Sequence, residues 1–257
     1  MIAGSLTARS FRFALVFAGQ PQMRTDKNIK FYDQLTAQGV DFPSFEQRKN
    51  EIVLQNIGAT GPKHIIRISV GHFEDKFRLF GMEDFPSRSI EIFNEIADKS
   101  WDVFGQIWNL LPQSLALAEV TLRYTAAAKG GNATEFLAST CLRLPSESVK
   151  SLGRPLSGIG LRIVSPVMIS AQEGKISLAN ADINAHVETL LEDPSLLYIQ
   201  ITVKWPSLPL PPARGQGGYP EGMPTFLNPE CRKPSWYLKE VESYVTNQLT
   251  KFLCAAK

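Results

Sequence analysis

The sequence has few of the residues from which metal centres and disulfide frameworks are built. Its cysteines and histidines number three each and are widely separated: Cys141, Cys231, Cys254, His64, His72 and His186. An odd number of scattered cysteines indicates reduced thiols rather than a disulfide framework. The scattered histidines lack the clustered spacing of metal ligands, so we expect neither a metal nor another cofactor.

Long apolar runs and a strong excess of one charge are also missing. No run is long enough to cross a bilayer, and residues 1–10 lack the apolar core of a signal peptide. The formal net charge is only +2, so no strong field attracts nucleic acid or anionic lipid. We therefore expect a cytoplasmic protein with no membrane contact.

Two long amphipathic segments are the strongest pattern present, at 87–111 and 235–255. Their apolar residues recur at helical spacing, and Pro112 ends the first segment. Shorter helices are predicted at 26–37 and 132–144, the latter capped by Asn132. The tryptophans Trp101, Trp108 and Trp236 are predicted to pack in the core.

The segments between these helices alternate apolar and polar residues, which is typical of β-strands. The predicted strands are 11–17, 51–57, 64–70, 76–82, 116–124, 159–170, 175–184 and 196–205. The sequence therefore predicts an α+β fold of two tandem β-α-β-β-β-α units, 1–112 and 113–257. Each unit has an antiparallel sheet, continuous or paired, that is covered by a long helix.

This order of elements resembles the duplicated helix-on-sheet fold of the TATA-box-binding protein class. No motif of that class is present, so the resemblance implies the shape and not the activity. The stretch Gly158-Ile-Gly-Leu-Arg162, the N-terminal strand and the C-terminal helix also resemble a sporadically distributed family of uncharacterised bacterial proteins of this length. That resemblance implies a cytoplasmic accessory protein and supplies no catalytic residues.

Motifs for nucleophilic, metal-dependent or phosphate chemistry are missing. The sequence has no Gly-x-Ser-x-Gly, His-Glu-x-x-His or Cys-x-x-Cys. The one close group of a histidine and two acids, His72, Glu74 and Asp75, is predicted to be a solvated hairpin tip. We therefore predict a non-catalytic binding or interaction protein that acts through a protein partner.

Two other functions stay open at the level of sequence. A cavity between the sheet and a long helix could serve a small-molecule binder or an enzyme. Alternatively, nucleic acid could bind the sheet face opposite the helices through Arg67, Arg78, Arg123 and Arg162. We do not expect nucleic acid, because these side chains are dispersed and would also keep that face soluble. A homo-oligomer is left open.

The segment 206–234 is a proline- and glycine-rich insertion that holds eight of the 17 prolines. Pro209 to Arg214 fits the P-x-x-P-x-R form that aromatic-lined grooves bind. Long loops of this kind often carry function. We predict that the insertion contacts the partner through Leu210, Arg214, Tyr219, Met223 and Phe226.

Overall fold

The computed structural model describes most of the chain. The described residues are 6–17, 24–49, 51–57, 63–69, 72–78, 89–109, 115–145, 147, 150–153, 156–166, 178–206, 208–209, 226–227 and 232–255. For residues 57, 63, 72–78, 89, 115, 179, 208–209, 226–227 and 254–255 it describes the backbone alone.

Helices and antiparallel strands follow one another along the chain, so the fold is α+β. The first half contains β1 (Thr7–Phe17), α1 (Thr25–Ala37), β2 (Ser44–Arg48), β3 (Glu51–Ile57), β4 (Lys63–Ser69), β5 (His72–Arg78) and α2 (Ser89–Trp108). The second half contains β6 (Leu115–Ala127), α3 (Ala133–Glu135) continued by a π-helix (Phe136–Cys141), β7 (Gly160–Ser165), a 3₁₀ turn (Leu178–Asn180), β8 (Asp182–Thr189) and β9 (Leu196–Pro206). It ends with β10 (Leu208–Pro209), β11 (Phe226–Leu227), α4 (Pro234–Tyr244), a π-helix (Val245–Leu249) and α5 (Thr250–Ala255).

A single antiparallel sheet joins both halves. Its described strands run in the order β2-β3-β4-β5-β1-β6-β9-β8-β7. The centre is the pairing of β1 with β6, which extends from Thr7 opposite Thr125 to Phe17 opposite Leu115. The sheet is therefore continuous rather than divided into one sheet for each half.

The helices cover one face of this sheet, and the core lies between the two layers. In β1 the side chains of Phe11, Phe13, Leu15 and Phe17 are buried, because alternate strand residues point to the same face. Phe13 lies 5.7 Å from Tyr237 of α4, measured between ring centroids. Helix α2 packs on β1, α1 and α4. The predicted core positions of Trp101 and Trp108 are confirmed, and Trp236 packs against the core while partly exposed.

Hydrogen bonds from α4 to α2 fix the two long helices to each other. The Asp98 carboxylate of α2 accepts bonds from the backbone N–H of Ser235, at 2.9 Å, and from its hydroxyl, at 2.7 Å. Lys233 Nζ donates to Asp102 Oδ2 at 2.6 Å. Because Asp98 accepts from the first turn of α4, it supplies from another helix the acceptor that an N-cap residue normally provides.

The C-terminal helix, 234–255, keeps one buried stripe although its spacing is not that of a straight α-helix. Its buried residues recur at intervals of four: Tyr237, Val241, Val245, Leu249 and Leu253. In an α-helix of 3.6 residues per turn, each such step drifts by about 40° around the axis. The π-helix Val245–Leu249 makes a wider turn and offsets part of this drift.

Several predicted elements are wrong in extent. The first half has four strands after α1 rather than three, because Ser44–Arg48 forms an edge strand with only one apolar residue, Phe45, to mark it. His72 to Asp75 belong to β5 rather than to a hairpin tip, since polar residues in a strand resemble a turn in composition. The 79–82 part of the predicted strand lies outside the described residues.

The second half needs similar corrections. The strand predicted at 175–184 is β8 at Asp182–Thr189, preceded by a 3₁₀ turn, and the strand predicted at 159–170 is described only from Gly160 to Ser165. The helix predicted at 132–144 begins as expected, with the Asn132 side chain accepting from the N–H of Glu135 at 3.0 Å. It then becomes a π-helix and ends at Cys141. The predicted boundary between the units, at 112 and 113, lies outside the described residues.

We predict that Phe13→Ala lowers the free energy of unfolding by about 3–5 kcal/mol, since it removes a fully buried ring at the centre of the core. Urea unfolding measures the loss. The matched control is Phe252→Ala, because Phe252 is 54% exposed on the last helix and should change stability by no more than about 0.5 kcal/mol. Equal effects of the two substitutions would contradict the assignment of the core.

The second stability prediction concerns Glu242 of α4. Burial, and secondarily the nearby charge of Glu91, raise the pKa of Glu242. As the pH rises, the unfolded chain releases this proton before the folded chain does, so stability falls as the pH rises through the folded-state pKa. Glu242→Gln should therefore raise the melting temperature at neutral pH, and the gain should shrink toward about pH 4.

Glu95→Gln is the control of opposite sign. The hydrogen bond from Lys99 lowers the pKa of Glu95, so its charged form favours folding and the substitution should give no gain at neutral pH. A Glu242→Gln gain that is equally large at both pH values would show that repulsion and desolvation of the carboxylate are not its cause.

A polar groove on the open face of the sheet

A groove lies on the face of the sheet opposite the helices. It has a volume of about 730 Å³ and crosses β1, β6, β9, β8 and the end of β7. The polar side chains at its centre are Arg12, Glu119, Thr121, Arg123, Thr202 and Lys204. We call this surface the open-face groove.

Strand alternation explains why these polar side chains share one face. In β6, Val120, Leu122 and Tyr124 are buried under the helices, so the odd-numbered residues between them point to the opposite face. The register sets Thr121 opposite Arg12 of β1 and Thr202 of β9. Residues far apart in sequence are in this way brought side by side.

Glu119 organises the cations at one end of the groove. Its carboxylate forms salt bridges with Arg12 through Oε1 and with Lys204 through Oε2, the latter at 3.2 Å. The Glu119 side chain is only 16% exposed, so the two pairs are better shielded from water than ordinary surface pairs. Asp182 lies opposite Lys204 in the register. Each cation here is therefore close to a carboxylate.

The floor of the groove is made by two threonines. The hydroxyls of Thr121 and Thr202 are hydrogen-bonded at 3.2 Å across the β6–β9 pair. Either hydroxyl can be the donor of this bond, so the other can donate to a bound group. The floor of the groove can thus accept or donate hydrogen bonds without carrying charge.

Two further arginines, Arg123 at the other end of the groove and Arg162 beside it, are held in a different way. Arg123 donates through Nε to Oε1 of Gln200 at 2.8 Å, and the same oxygen accepts from the Tyr198 hydroxyl at 3.2 Å. Arg162, on edge strand β7, donates through Nε to Oδ1 of Asn184 at 3.0 Å. In both cases a neutral amide on the neighbouring strand holds the guanidinium.

The four arginines predicted for nucleic acid do not form one set. The register places Arg162, His186, Gln200, Arg123, Ser10 and Arg78 in one row across the open face. The side chain of Arg78 lies outside the description. Arg67 belongs to another row, opposite Glu74, and pairs with Glu51 at 3.0 Å. The row that contains Arg123 and Arg162 has no carboxylate.

The predicted partner-binding segment is mostly outside the described residues, including Leu210, Arg214, Tyr219 and Met223. The backbone of Phe226 lies in β11 and pairs with Pro209 of β10. This short ladder follows β9 directly, and β9 ends at Pro206, two residues beyond Lys204 of the groove. The insertion therefore starts beside the open-face groove.

The sequence did not reveal several groove residues: Glu119, Thr121, Thr202, Lys204 and Asp182. The available signal was the alternation of polar and apolar residues in β6 and β9. It identified a polar face on each strand, but not which residues of the adjacent strands lie beside it. Among the described residues, no group of three or more His, Cys, Asp or Glu side chains could hold a metal ion. His64 is buried against Phe42 and Phe93.

A second depression, of about 630 Å³, lies at the start of β7 between Gly158 and Leu191. The space above Gly158 is restricted, since a Cβ atom there would lie 2.9 Å from Leu191 Cδ2. The open-face groove lies away from the sheet–helix interface, where aromatic side chains fill the core. No described helix has the length and apolar composition needed to cross a membrane. No protein-family model matches the chain, and neither does any curated protein.

We predict that Glu119→Ala costs about 1–3 kcal/mol in urea unfolding, because it removes the shielded acceptor shared by Arg12 and Lys204. The control is Glu46→Ala, an exposed carboxylate on the same sheet face that pairs with Arg48, and it should have little effect. A Glu119 variant as stable as the control would show that the network does not stabilise the sheet.

Proposed function

We propose that the chain is a non-catalytic binding protein of the cytoplasm, and that its open-face groove contacts a protein partner. The observation that carries this proposal is the groove itself, a polar concavity over five strands in which cross-strand hydrogen bonds hold Thr121, Thr202 and Arg123. Such preorganised polar groups lose little conformational entropy on binding. Carboxylates lie beside the cations at the Glu119 end, which favours a mixed-charge protein surface over a polyanion.

The proline-rich insertion belongs to the same proposed contact surface. It begins at the end of β9, next to Lys204, so a partner seated in the groove can reach it. The prolines restrict the backbone and lower the entropy lost when the segment is ordered. The residues proposed for this contact remain Leu210, Arg214, Tyr219, Met223 and Phe226.

We further propose that the fold is an architectural duplication. In each half the first strand pairs with the last strand: β1 with β5, and β6 with β9. From that pair toward the edge of the sheet, the remaining strands of each half follow in the reverse of their chain order. Each half ends in a long helix. The first half has an additional edge strand, β2. This order supports the predicted tandem units and a shape similar to the TATA-box-binding protein class.

Capture of partners from a lysate of the native host, with and without nuclease, tests the proposed function. Thr202→Arg fills the floor of the groove, and replacing 207–232 by a short Gly/Ser linker removes the insertion. We expect each change to reduce the captured protein at least about fivefold at an unchanged melting temperature, and nuclease to have no effect.

The matched control is Gln55→Arg, which adds the same charge to the same row of the same face, outside the groove. It should leave capture intact. A partner retained by both the Thr202→Arg variant and the linker variant would overturn the proposal. So would a partner lost on nuclease treatment, which would favour nucleic acid.

A further inference from the structure

The open face separates its cations into two kinds. Arg12, Lys204 and Arg67 each pair with a carboxylate, Glu119 for the first two and Glu51 for the third. Arg123 and Arg162 instead have neutral amides as partners. In the part of the chain that the structure describes, neither of these two guanidiniums has a carboxylate partner.

The amides of Gln200 and Asn184 bind only one nitrogen of each guanidinium. Both hydrogen bonds use Nε, at 2.8 Å to Gln200 and at 3.0 Å to Asn184. The two Nη atoms of each guanidinium therefore have no bond to another described residue. Paired N–H groups of this kind match the two oxygens of a carboxylate. The amides fix the orientation without neutralising the charge.

The spacing between the two guanidiniums restricts the ligand. Arg123 and Arg162 lie in the same row, joined through Gln200 and His186. They are three strand separations apart, about 14 Å at about 4.8 Å each. In an extended peptide, which rises about 3.3 Å per residue, side chains four positions apart lie on one face at about 13 Å.

We propose that Arg123 and Arg162 bind an extended acidic segment of the protein partner that crosses the strands and carries two carboxylates four residues apart. The segment lies along the row that contains these two arginines, over His186 and Gln200. The row with Glu119 and Asp182 lies two rows further along the strands, beyond Thr121 and Thr202, and repels acidic side chains that reach it. This inference rests on the proposed function, because it names the chemistry of the partner.

A peptide suits this row better than a nucleic acid does. Tight nucleic-acid binding needs several phosphate contacts and benefits from stacking aromatic side chains. The described row offers two guanidiniums that no described carboxylate pairs with, and Glu119 and Asp182 line the same groove as Arg123. Charge complementarity with two spaced carboxylates therefore fits better than contact with a continuous polyanion.

The test uses NMR titration of the whole chain, following the Arg Nε–H signals. The probes are short threonine-rich peptides with two glutamates at positions i and i+4, the same peptide with glutamates at i and i+3, and a single-stranded oligothymidylate. Successive residues of a strand face opposite ways, so only the first peptide presents both carboxylates to the row. We expect it to bind at least about threefold more tightly than the second.

Arg162→Gln is the informative variant, because Arg162 is exposed at the sheet edge and its loss should leave the fold intact. It should abolish the preference for the i, i+4 peptide. The matched control, Arg67→Gln, removes a carboxylate-paired arginine from the same face and should preserve the preference. Arg123→Lys, which keeps the charge but loses the paired N–H groups, should weaken it.

Equal affinity for the two peptides, or a preference that survives Arg162→Gln, would overturn the inference. Tighter binding of oligothymidylate than of the i, i+4 peptide would overturn it as well and would assign the row to nucleic acid. These outcomes are separate from the fate of the proposed function. If Thr202→Arg still loses the captured partner, the groove binds a protein through other chemistry.

Discussion

The antiparallel pairing of β1 with β6 is the constraint on which the rest of the structure depends. It is the seam between the two halves of the chain, and both its strands have one apolar face and one polar face. On the helix side, Phe13 and Val120 belong to one buried core. On the open side, Arg12 and Thr121 belong to one groove. A one-residue slip of this register would exchange the two faces, so core and groove are fixed by the same set of backbone hydrogen bonds.

The two layers contribute to stability in different ways. Stacked and tilted rings of Phe17, Trp101, Phe104 and Trp108 fill the space under α2, and such burial is the main favourable term in folding. The open face contributes little apolar burial. Its polar side chains are instead fixed by cross-strand bonds such as Arg123 to Gln200. Substitutions on the open face therefore change little of the apolar burial that stabilises the fold.

Much of the architecture could be predicted because its signal is local. The periodicity of 87–111 and 235–255, and the alternation at 11–17, identify α2, the C-terminal helix and β1. The strand β2 was missed because a short, charged edge strand buries too little to leave a pattern. The groove could not be predicted as a set, since Glu119 and Lys204 meet only through the β6–β9 register. Alternation allowed Arg123 and Arg162 to share the face opposite the helices, but their amide partners depend on neighbouring strands.

The π-helix at Val245–Leu249 has a consequence for how the length of this chain can change. The buried residues Tyr237, Val241, Val245, Leu249 and Leu253 keep one stripe because the wide turn takes up the drift of their four-residue spacing. Loss of one residue within this turn would close it into an ordinary α-helical turn and shift the following residues by one position. Insertions and deletions are usually tolerated in loops. Here a single deletion inside a helix has a defined structural outcome. The π-helical turn becomes an α-helical turn, and Leu249 and Leu253 still pack in the same core.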